Sequence, residues 1–150
     1  AYPSDLKEKL LKIRDQYPNF NAEKFLKGAG TAFEMILKAY SEHDKETLQQ
    51  LLSKDMYKNF EKLIDQQQAQ GRKAVTTLVS LTSQTIINAD VRNKVALITV
   101  MFQSEQISVV KDVNGKIIEG DPSRVEQIED RWIFSKDLND QDLSWYLTSI

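Results

Sequence analysis

Apolar residues recur at helical spacing through the first half of the chain and at strand spacing through the second. The first predicted helix runs from Ser4, a residue type that caps helices, to about Gln16, and Pro18 interrupts the helical pattern shortly afterwards. One side of this helix is apolar, and the stripe consists of Leu6, Leu10, Leu11 and Ile13. Because a short amphipathic helix is marginal in water, its stability depends on what covers this stripe.

Three further helices are predicted before the strands begin. They end near residues 42, 52 and 71, with Asn21, Asp44 and Ser53 as their N-caps. The longest contains Gly28 and Gly30, and each glycine destabilises a helix by about 1 kcal/mol relative to alanine. We therefore expect another element to cross closely there. Gly71 is predicted to end the last helix in a left-handed conformation.

Four long strands connected by turns are predicted in the second half. The alternation of apolar and polar residues places them at Ala74–Ile87, Lys94–Val110, Val125–Lys136 and Leu143–Ser149, with a bend near Ser83 and turns at Asn88–Asn93 and Asn114-Gly115. In the last strand Leu143, Trp145 and Leu147 are expected to face inward. Consecutive helices followed by consecutive strands predict an α+β domain, in which a curved antiparallel sheet carries the helices on its concave side.

Composition narrows the functional classes. The chain has 150 residues, no cysteine and a single histidine, which removes disulfides, cysteine nucleophiles and two-histidine metal sites. Its formal net charge is −2, whereas a nucleic-acid-binding domain usually carries a basic excess. We therefore expect no nucleic-acid partner, metal, cofactor or catalytic residue. The histidine, His43, is expected to be an exposed residue at a helix boundary.

An aromatic-rich set distributed over both halves allows two interpretations. In a curved sheet closed by helices, the set would line a cavity for an apolar ligand. Otherwise it forms an ordinary core. Its members are Phe33, Leu37, Tyr40, Phe60, Trp132, Phe134 and Trp145.

The first helix carries basic residues beside its apolar stripe, namely Lys7, Lys9, Lys12 and Arg14. A helix of this type lies on an anionic membrane surface, docks in the groove of a partner, or packs on its own domain. The sequence leaves these alternatives open.

A protein-binding surface is a further possibility in the second half. One candidate is a hairpin arm from Asp112 to Gly120, whose turn is Asn114-Gly115. The other is the acidic third strand with the loop that follows it. Its acidic residues are Glu126, Glu129, Asp130, Asp137, Asp140 and Asp142, and we interpret them as a solvated rim or partner surface rather than paired catalytic carboxylates.

Several segments of the chain resemble the Tim44-like domain family. They are residues 25–40 (FLKGAGTAFEMILKAY), 44–48 (DKETL), 104–108 (SEQIS), 119–125 (EGDPSRV), 130–134 (DRWIF) and 145–147 (WYL). Their order and spacing extend over roughly residues 21–150. The family usually has a proline-asparagine pair where this chain has Leu143-Ser144.

The resemblance implies a cone-shaped fold of the nuclear-transport-factor-two-like superfamily, with a hydrophobic pocket between sheet and helices. The mitochondrial family member is a peripheral inner-membrane subunit of the presequence translocase that tethers the matrix heat-shock chaperone to the import channel. Helices at the start of its C-terminal domain contact cardiolipin-rich membrane. By this resemblance, Leu6, Leu10, Leu11 and Ile13 belong to the membrane-recruiting region.

The resulting expectation is a non-enzymatic, membrane-peripheral tethering or scaffold domain that binds anionic, cardiolipin-like lipid and chaperone or translocase components. Residues 1–20 are predicted to form an amphipathic segment and residues 21–150 the α+β domain, as the C-terminal part of a longer protein. The expected location is a bacterial inner membrane or, alternatively, the matrix side of the mitochondrial inner membrane. The alternative function is binding of, or chemistry on, a small apolar ligand in the cone.

Overall fold

The computed structural model describes residues 2–150, in which four helices precede five strands. The helices are α1 (Ser4–Gln16), α2 (Ala22–Ser41), α3 (Lys45–Leu51) and α4 (Lys54–Ala69). The strands are β1 (Arg72–Arg92), β2 (Val95–Asp112), β3 (Ile117–Glu119), β4 (Glu126–Asp137) and β5 (Tyr146–Ser149). This order confirms the predicted α+β class.

Three of the four helices begin at their predicted caps. The side chain of Asn21 accepts a hydrogen bond from the backbone N–H of Lys24 at 3.0 Å. Asp44 and Ser53 cap α3 and α4 in the same way, through the N–H groups three residues later. The prediction for Ser4 is wrong, because Ser4 is the first helical residue and Pro3 occupies the cap position without a side-chain hydrogen bond.

The strands form one antiparallel sheet in the order β1-β2-β4-β5, with β3 paired to the far end of β2. The β1–β2 pairing contains three register shifts, and these curve the sheet. One shift lies between Leu81 and Ser83, which confirms the predicted bend. Trp132 and Phe134 of β4 lie on the inner face, and Leu147 of β5 is fully buried beside them.

Two strand boundaries differ from the prediction by three residues or more, and the others by two or fewer. The proposed turn at residues 88–93 is shorter, because Ala89 is buried in the core and holds β1 in the sheet as far as Arg92. Only Asn93 and Lys94, with φ of 49° and 63°, connect β1 to β2, as in the two-residue turns that suit a twisted hairpin. At the C-terminal end, β5 begins only at Tyr146, and Leu143 is 65% exposed instead of facing inward.

One hydrophobic core lies between the helices and the inner face of the sheet. It includes Leu6, Leu10 and Ile13 of α1, so the core extends across the boundary predicted at residue 20. The expected close crossing at the α2 glycines is confirmed at Gly30, where an added Cβ would lie 2.4 Å from Gln84 Oε1. Gly28, one half-turn away, faces open space.

Candidate functional site

The predicted membrane or partner helix is anchored to its own domain. Three residues of its apolar stripe, Leu6, Leu10 and Ile13, are between 0% and 8% exposed. For these three side chains, the structure therefore shows the own-domain alternative. Leu11 is different, because 55% of its surface is exposed.

The exposed side of α1 borders a groove of about 340 Å³ between the helix and the start of α2. Leu10, Leu11 and Phe20 line it with apolar surface, and Lys7 and Arg14 stand beside Leu11 at helical spacings of four and three residues. Both cationic residues are exposed. The groove thus combines apolar surface with flanking positive charge, a combination suited to an amphiphile with an anionic head.

The other two basic residues named from the sequence lie in different surroundings. Lys12 is exposed, whereas Lys9 is half-buried. The pKa of Asp90 on β1 is lowered, chiefly by the hydrogen bond from Arg92 Nε, and the nearby charge of Lys9 adds a smaller effect. Lys9 is not among the residues that line the groove. Lys7 and Arg14 are the cations that belong to the groove.

The centre of the predicted aromatic pocket is filled by the rings themselves. Phe33 stacks on Phe102 with ring centroids 4.4 Å apart, and its centroid lies 4.6 Å from that of Trp132. Tyr40 meets Phe60 edge-on at 5.4 Å. At these distances the rings are in direct contact, so this part of the set forms packed core. Phe102 belongs to it but was not in the predicted set.

The remaining members of the set border two grooves on the helical side. Phe134 and Trp145 line a groove of about 270 Å³ beside Gly28. Trp145 also packs on Phe25 at 4.9 Å. Leu37 lines a second groove, of about 470 Å³, between α2 and the first half of β1. The apolar lining predicted from the sequence is thus divided between these open grooves.

A hydrogen-bond network connects the ends of α2 and α4 to β1. Gln67 Nε2 donates to Tyr40 Oη at 2.7 Å, and Gln67 Oε1 accepts from His43 Nε2 at 2.8 Å and from the Ala74 N–H at 3.1 Å. Burial raises the pKa of Tyr40, and the bond with Gln67 opposes that rise. His43 lies just after the end of α2 with φ of 55°. It is half-buried, so the prediction of an exposed histidine is wrong. The network holds the helix ends against the sheet.

Asp130 differs from the other acidic residues of β4 because it is half-buried, whereas Glu126, on the same face of the strand, Glu129 and Asp137 are exposed. Its register partner is Phe102, which is fully buried. Burial raises the pKa of Asp130, and a hydrogen bond with Gln106 opposes that rise. Gln106 itself is buried and donates to Ser104 Oγ at 2.8 Å. These side chains form a polar cluster on the sheet's inner face.

A buried lysine organises the acidic loop between β4 and β5. Lys136 is 2% exposed, and its Nζ donates to the backbone carbonyls of Asp137, Asp140 and Asp142. The same Nζ lies 5.1 Å from the centre of the Tyr17 ring. The three aspartate side chains accept hydrogen bonds from backbone N–H groups two residues later. The carboxylates therefore shape the loop. No feature of the sequence indicated that Lys136 would be buried.

The predicted hairpin arm is present at the far end of β2. Asp112 Oδ1 accepts from the N–H groups of Asn114 and Lys116, and Gly115 has φ of 81°, so the turn predicted at Asn114-Gly115 is confirmed. Val113 at the turn is 80% exposed. Arg72 and Glu119 form an ion pair of 2.5 Å that ties the arm to the start of β1.

Comparison with known proteins identifies the family. A model described as the Tim44-like domain matches residues 6–150. The probable mitochondrial import inner membrane translocase subunit tin-44 of Caenorhabditis elegans is 22% identical over 98% of this chain, which corresponds to 36% of that protein. The subunit TIM44-1 of Arabidopsis thaliana is 26% identical over 85% of this chain and 29% of its own length. The uncharacterized protein RP434 of Rickettsia prowazekii is 22% identical over 92% of this chain and 56% of its own length.

A solved structure supports the fold. The intermembrane space region of the chloroplast protein ARC6 superposes with a TM-score of 0.53 at 15% identity, covering 88% of this chain and 95% of that one. The likeness is one of fold and is of the nuclear-transport-factor-two-like type. Within residues 2–150, none of the helices has the length and apolar character needed to cross a bilayer. The family model extends over nearly the whole chain, and the chain belongs to the Tim44-like domain family.

Proposed function

We propose that this domain is a non-enzymatic, membrane-peripheral tethering domain that binds anionic lipid through the exposed side of α1 and holds components of a protein-transport machinery. The observation that carries the lipid part is the position of Leu11. It projects from a helix whose other apolar residues are fixed in the core, between Lys7 and Arg14 and beside an apolar groove. An anchored helix presents this surface without unfolding.

The physical basis is the combination of two weak attractions. A partly inserted leucine contributes hydrophobic transfer energy, and each lysine or arginine near an anionic surface adds about 1 kcal/mol. Both terms act together only where charge and apolar surface share one side of the helix. Lys7, Leu11 and Arg14 meet that condition. The anionic head group of a cardiolipin-like lipid would face the two cations.

Flotation with vesicles tests this proposal. We expect the protein to bind phosphatidylcholine vesicles that contain cardiolipin. It should not bind vesicles made of phosphatidylcholine only. The double variant Lys7→Glu/Arg14→Glu should bind at least roughly 30-fold more weakly, because about 2 kcal/mol of attraction is removed. The variant Leu11→Ala should also bind more weakly.

Matched controls come from α4. The double variant Lys58→Glu/Lys62→Glu changes the net charge by the same amount at exposed positions of another helix, and Leu63, 46% exposed, is the counterpart of Leu11. These variants should retain binding. If the α4 variants lost as much vesicle binding as the α1 variants, the effect would be one of net charge and not of the groove. If the unaltered protein did not bind the vesicles, the lipid part of the proposal would be wrong.

The tethering part is supported by the relatives, two of which are named as mitochondrial import inner membrane translocase subunits. The proposed partners are chaperone or translocase components, and the location is the inner membrane of a bacterium or a mitochondrion. The hairpin arm, with the exposed Val113 at its turn, is the proposed contact. Replacing residues 113–116 by a shorter turn should weaken binding to a purified heat-shock chaperone in calorimetric titration. Unchanged affinity would exclude the arm as the contact.

A ligand-binding or enzymatic domain is the alternative, and Asp130 is the observation that favours it. A half-buried carboxyl group with a raised pKa has the property that a general acid or base requires. Its neighbours here are the amide of Gln106 and the hydroxyl of Ser104. Native mass spectrometry tests this alternative. It would be supported if the purified protein carried an apolar ligand and the Asp130→Asn variant did not.

A further inference from the structure

The outer face of the sheet, opposite the helices, carries a strip of apolar side chains. The residues of this outer strip are Ile87, Val95, Leu97, Met101 and Ile133. Each is partly exposed or exposed, and none belongs to the core or packs against it. An antiparallel sheet that faces water normally has polar residues on that side. The strip therefore indicates a surface that is covered in the functional protein.

The strand β2 shows both faces most clearly. Its even-numbered residues Ala96, Ile98 and Val100 are fully buried in the core. The odd-numbered Leu97 and Met101 alternate with them and point to the other side. Both faces of this strand are thus apolar, although the helices cover only one of them.

The sheet register places opposite charges on the two sides of the outer strip. Val95 of β2 pairs with Arg92 on β1 and with Asp137 on β4. In this cross-strand row an apolar residue therefore lies between a positive and a negative one. Both charged side chains are exposed, and Arg92 also forms an ion pair of 2.8 Å with Asp90 of its own chain. In the next outward-facing row, Asp90 and Ser135 flank Leu97. Thr85 and Arg131 flank Met101 at the other end.

This arrangement is complementary to itself. Stacking two copies face to face about a two-fold axis parallel to β2 places β1 of one copy over β4 of the other. Arg92 of each copy then faces Asp137 of the other, Asp90 faces Ser135, and Thr85 faces Arg131. In these three rows the stacking opposes no two like charges. The strip itself forms the apolar centre, with charges at its edge, as in protein interfaces generally.

We propose that the outer face of the sheet is a self-association surface, and that a second copy of this chain covers it with its own outer face about a two-fold axis parallel to β2. The charge pattern singles out a second copy, since each Arg92–Asp137 contact occurs twice. The α1 groove lies on the helical side of the sheet, so self-association and lipid binding use different surfaces.

Sedimentation equilibrium from micromolar to millimolar protein tests the proposal. We expect a monomer–dimer equilibrium for the unaltered chain. Leu97→Glu should weaken it by at least about tenfold, because an unpaired charge would be placed in the apolar centre. Leu63→Glu, on exposed α4, should leave it unchanged. A monomer at every concentration, or a dimer insensitive to Leu97→Glu, would overturn the proposal.

Charge reversal tests the two-fold arrangement separately. Arg92→Asp alone and Asp137→Arg alone should each weaken self-association by about tenfold, since like charges then meet across the interface. Mixing the two variants should restore association as a heterodimer, because each contact again joins an arginine to an aspartate. Circular dichroism melting checks that both variants fold. If the mixture fails to associate, the proposed axis is wrong, whatever the outcome of the vesicle experiments.

Discussion

Gly28 and Gly30 occupy the same helix two residues apart, yet their surroundings assign them different roles. An alanine methyl group at Gly28 would meet no atom within 4 Å, whereas at Gly30 it would collide with the Gln84 side chain. Gln84 Nε2 donates to the carbonyl of Leu26 at 2.9 Å, so it bridges α2 and β1 at this point. Only Gly30 is therefore required by packing.

The pair gives a direct test by substitution. Gly28→Ala should raise the free energy of unfolding by about 0.5–1 kcal/mol, because alanine is the better helix former. Gly30→Ala should show no such gain or should destabilise, since Gln84 must move and its bond to Leu26 is lost. Urea denaturation measures both. Equal stabilisation by the two substitutions would contradict the close crossing.

The burial of Asp130 predicts how the stability of the folded protein depends on pH. The folded state raises the pKa of this carboxyl group, so the folded protein holds the proton more tightly than the unfolded chain does. The ionised carboxylate thus lowers stability above the folded pKa. This penalty disappears as pH falls below the unfolded pKa of about 3.9.

Replacing Asp130 by asparagine should remove the penalty. Asp130→Asn is expected to raise the melting temperature at neutral pH, and the gain should shrink as the pH falls through the folded pKa toward the unfolded one. Thermal melts across that range measure the effect. Glu129→Gln removes the same charge from an exposed position on the other face of β4. An identical profile for both variants would assign the effect to net charge instead.

At the scale of elements, α1 combines a structural side with an exposed one. Ile13 is fully buried, whereas Leu11, on the same helix, is 55% exposed. Ile13→Ala should therefore cost about 2–5 kcal/mol of unfolding free energy, while Leu11→Ala should change it by less than about 0.5 kcal/mol. Chemical denaturation separates the two. A small effect at Ile13 would mean that α1 contributes little to the domain.

The helices could be predicted from the sequence because the features that determine them are local. Asn21, Asp44 and Ser53 each bond to an N–H group three residues later, and such a signal is complete within one turn. The bend of β1 and the hairpin turn at Asn114-Gly115 were likewise predicted from neighbouring residues. The aromatic set could be interpreted from the sequence only as a cavity lining or a core, because its division into packed rings and open grooves depends on contacts between distant elements.

The features that could not be predicted depend on contacts far apart in sequence. Lys136 has a polar side chain on an alternating strand, and only the fold brings Tyr17 and the carbonyls of the following loop around it. That loop then occupies residues 138–145, so β5 is shorter than its apolar pattern predicts. Nor does the sequence of α1 specify which of its leucines the sheet will cover.

At the scale of the whole molecule, the sheet separates two surfaces. Its inner face carries the helices, including α1 with its cationic groove, and its outer face carries the apolar strip along β2. If both proposals hold, lipid and a second copy would bind this domain without competing with each other. The chain spans 29% to 56% of the length of the three relatives named above.

Lipid binding should consequently change the stability of the whole domain. When vesicles bind only the native protein and their concentration is a hundred times the dissociation constant, they add about 2.7 kcal/mol to the free energy of unfolding. This corresponds to a rise of about 5–10 °C in melting temperature. We expect this rise with cardiolipin-containing vesicles, measured by the intrinsic fluorescence of the tryptophans. For Lys7→Glu/Arg14→Glu the rise should be only about a third as large, because binding that is roughly 30-fold weaker leaves about 0.9 kcal/mol.

The burial of Leu6, Leu10 and Ile13 makes the direction of that shift informative about mechanism. If lipid bound these three residues, α1 would first have to leave the core, and the membrane would act on this domain as a denaturant. If lipid binds Leu11 and its flanking cations, the membrane acts as a stabilising ligand of the folded domain. The melting temperature with vesicles present therefore distinguishes the two mechanisms. A lower value means that α1 leaves the core to bind the membrane, and a higher value means that the folded domain binds it.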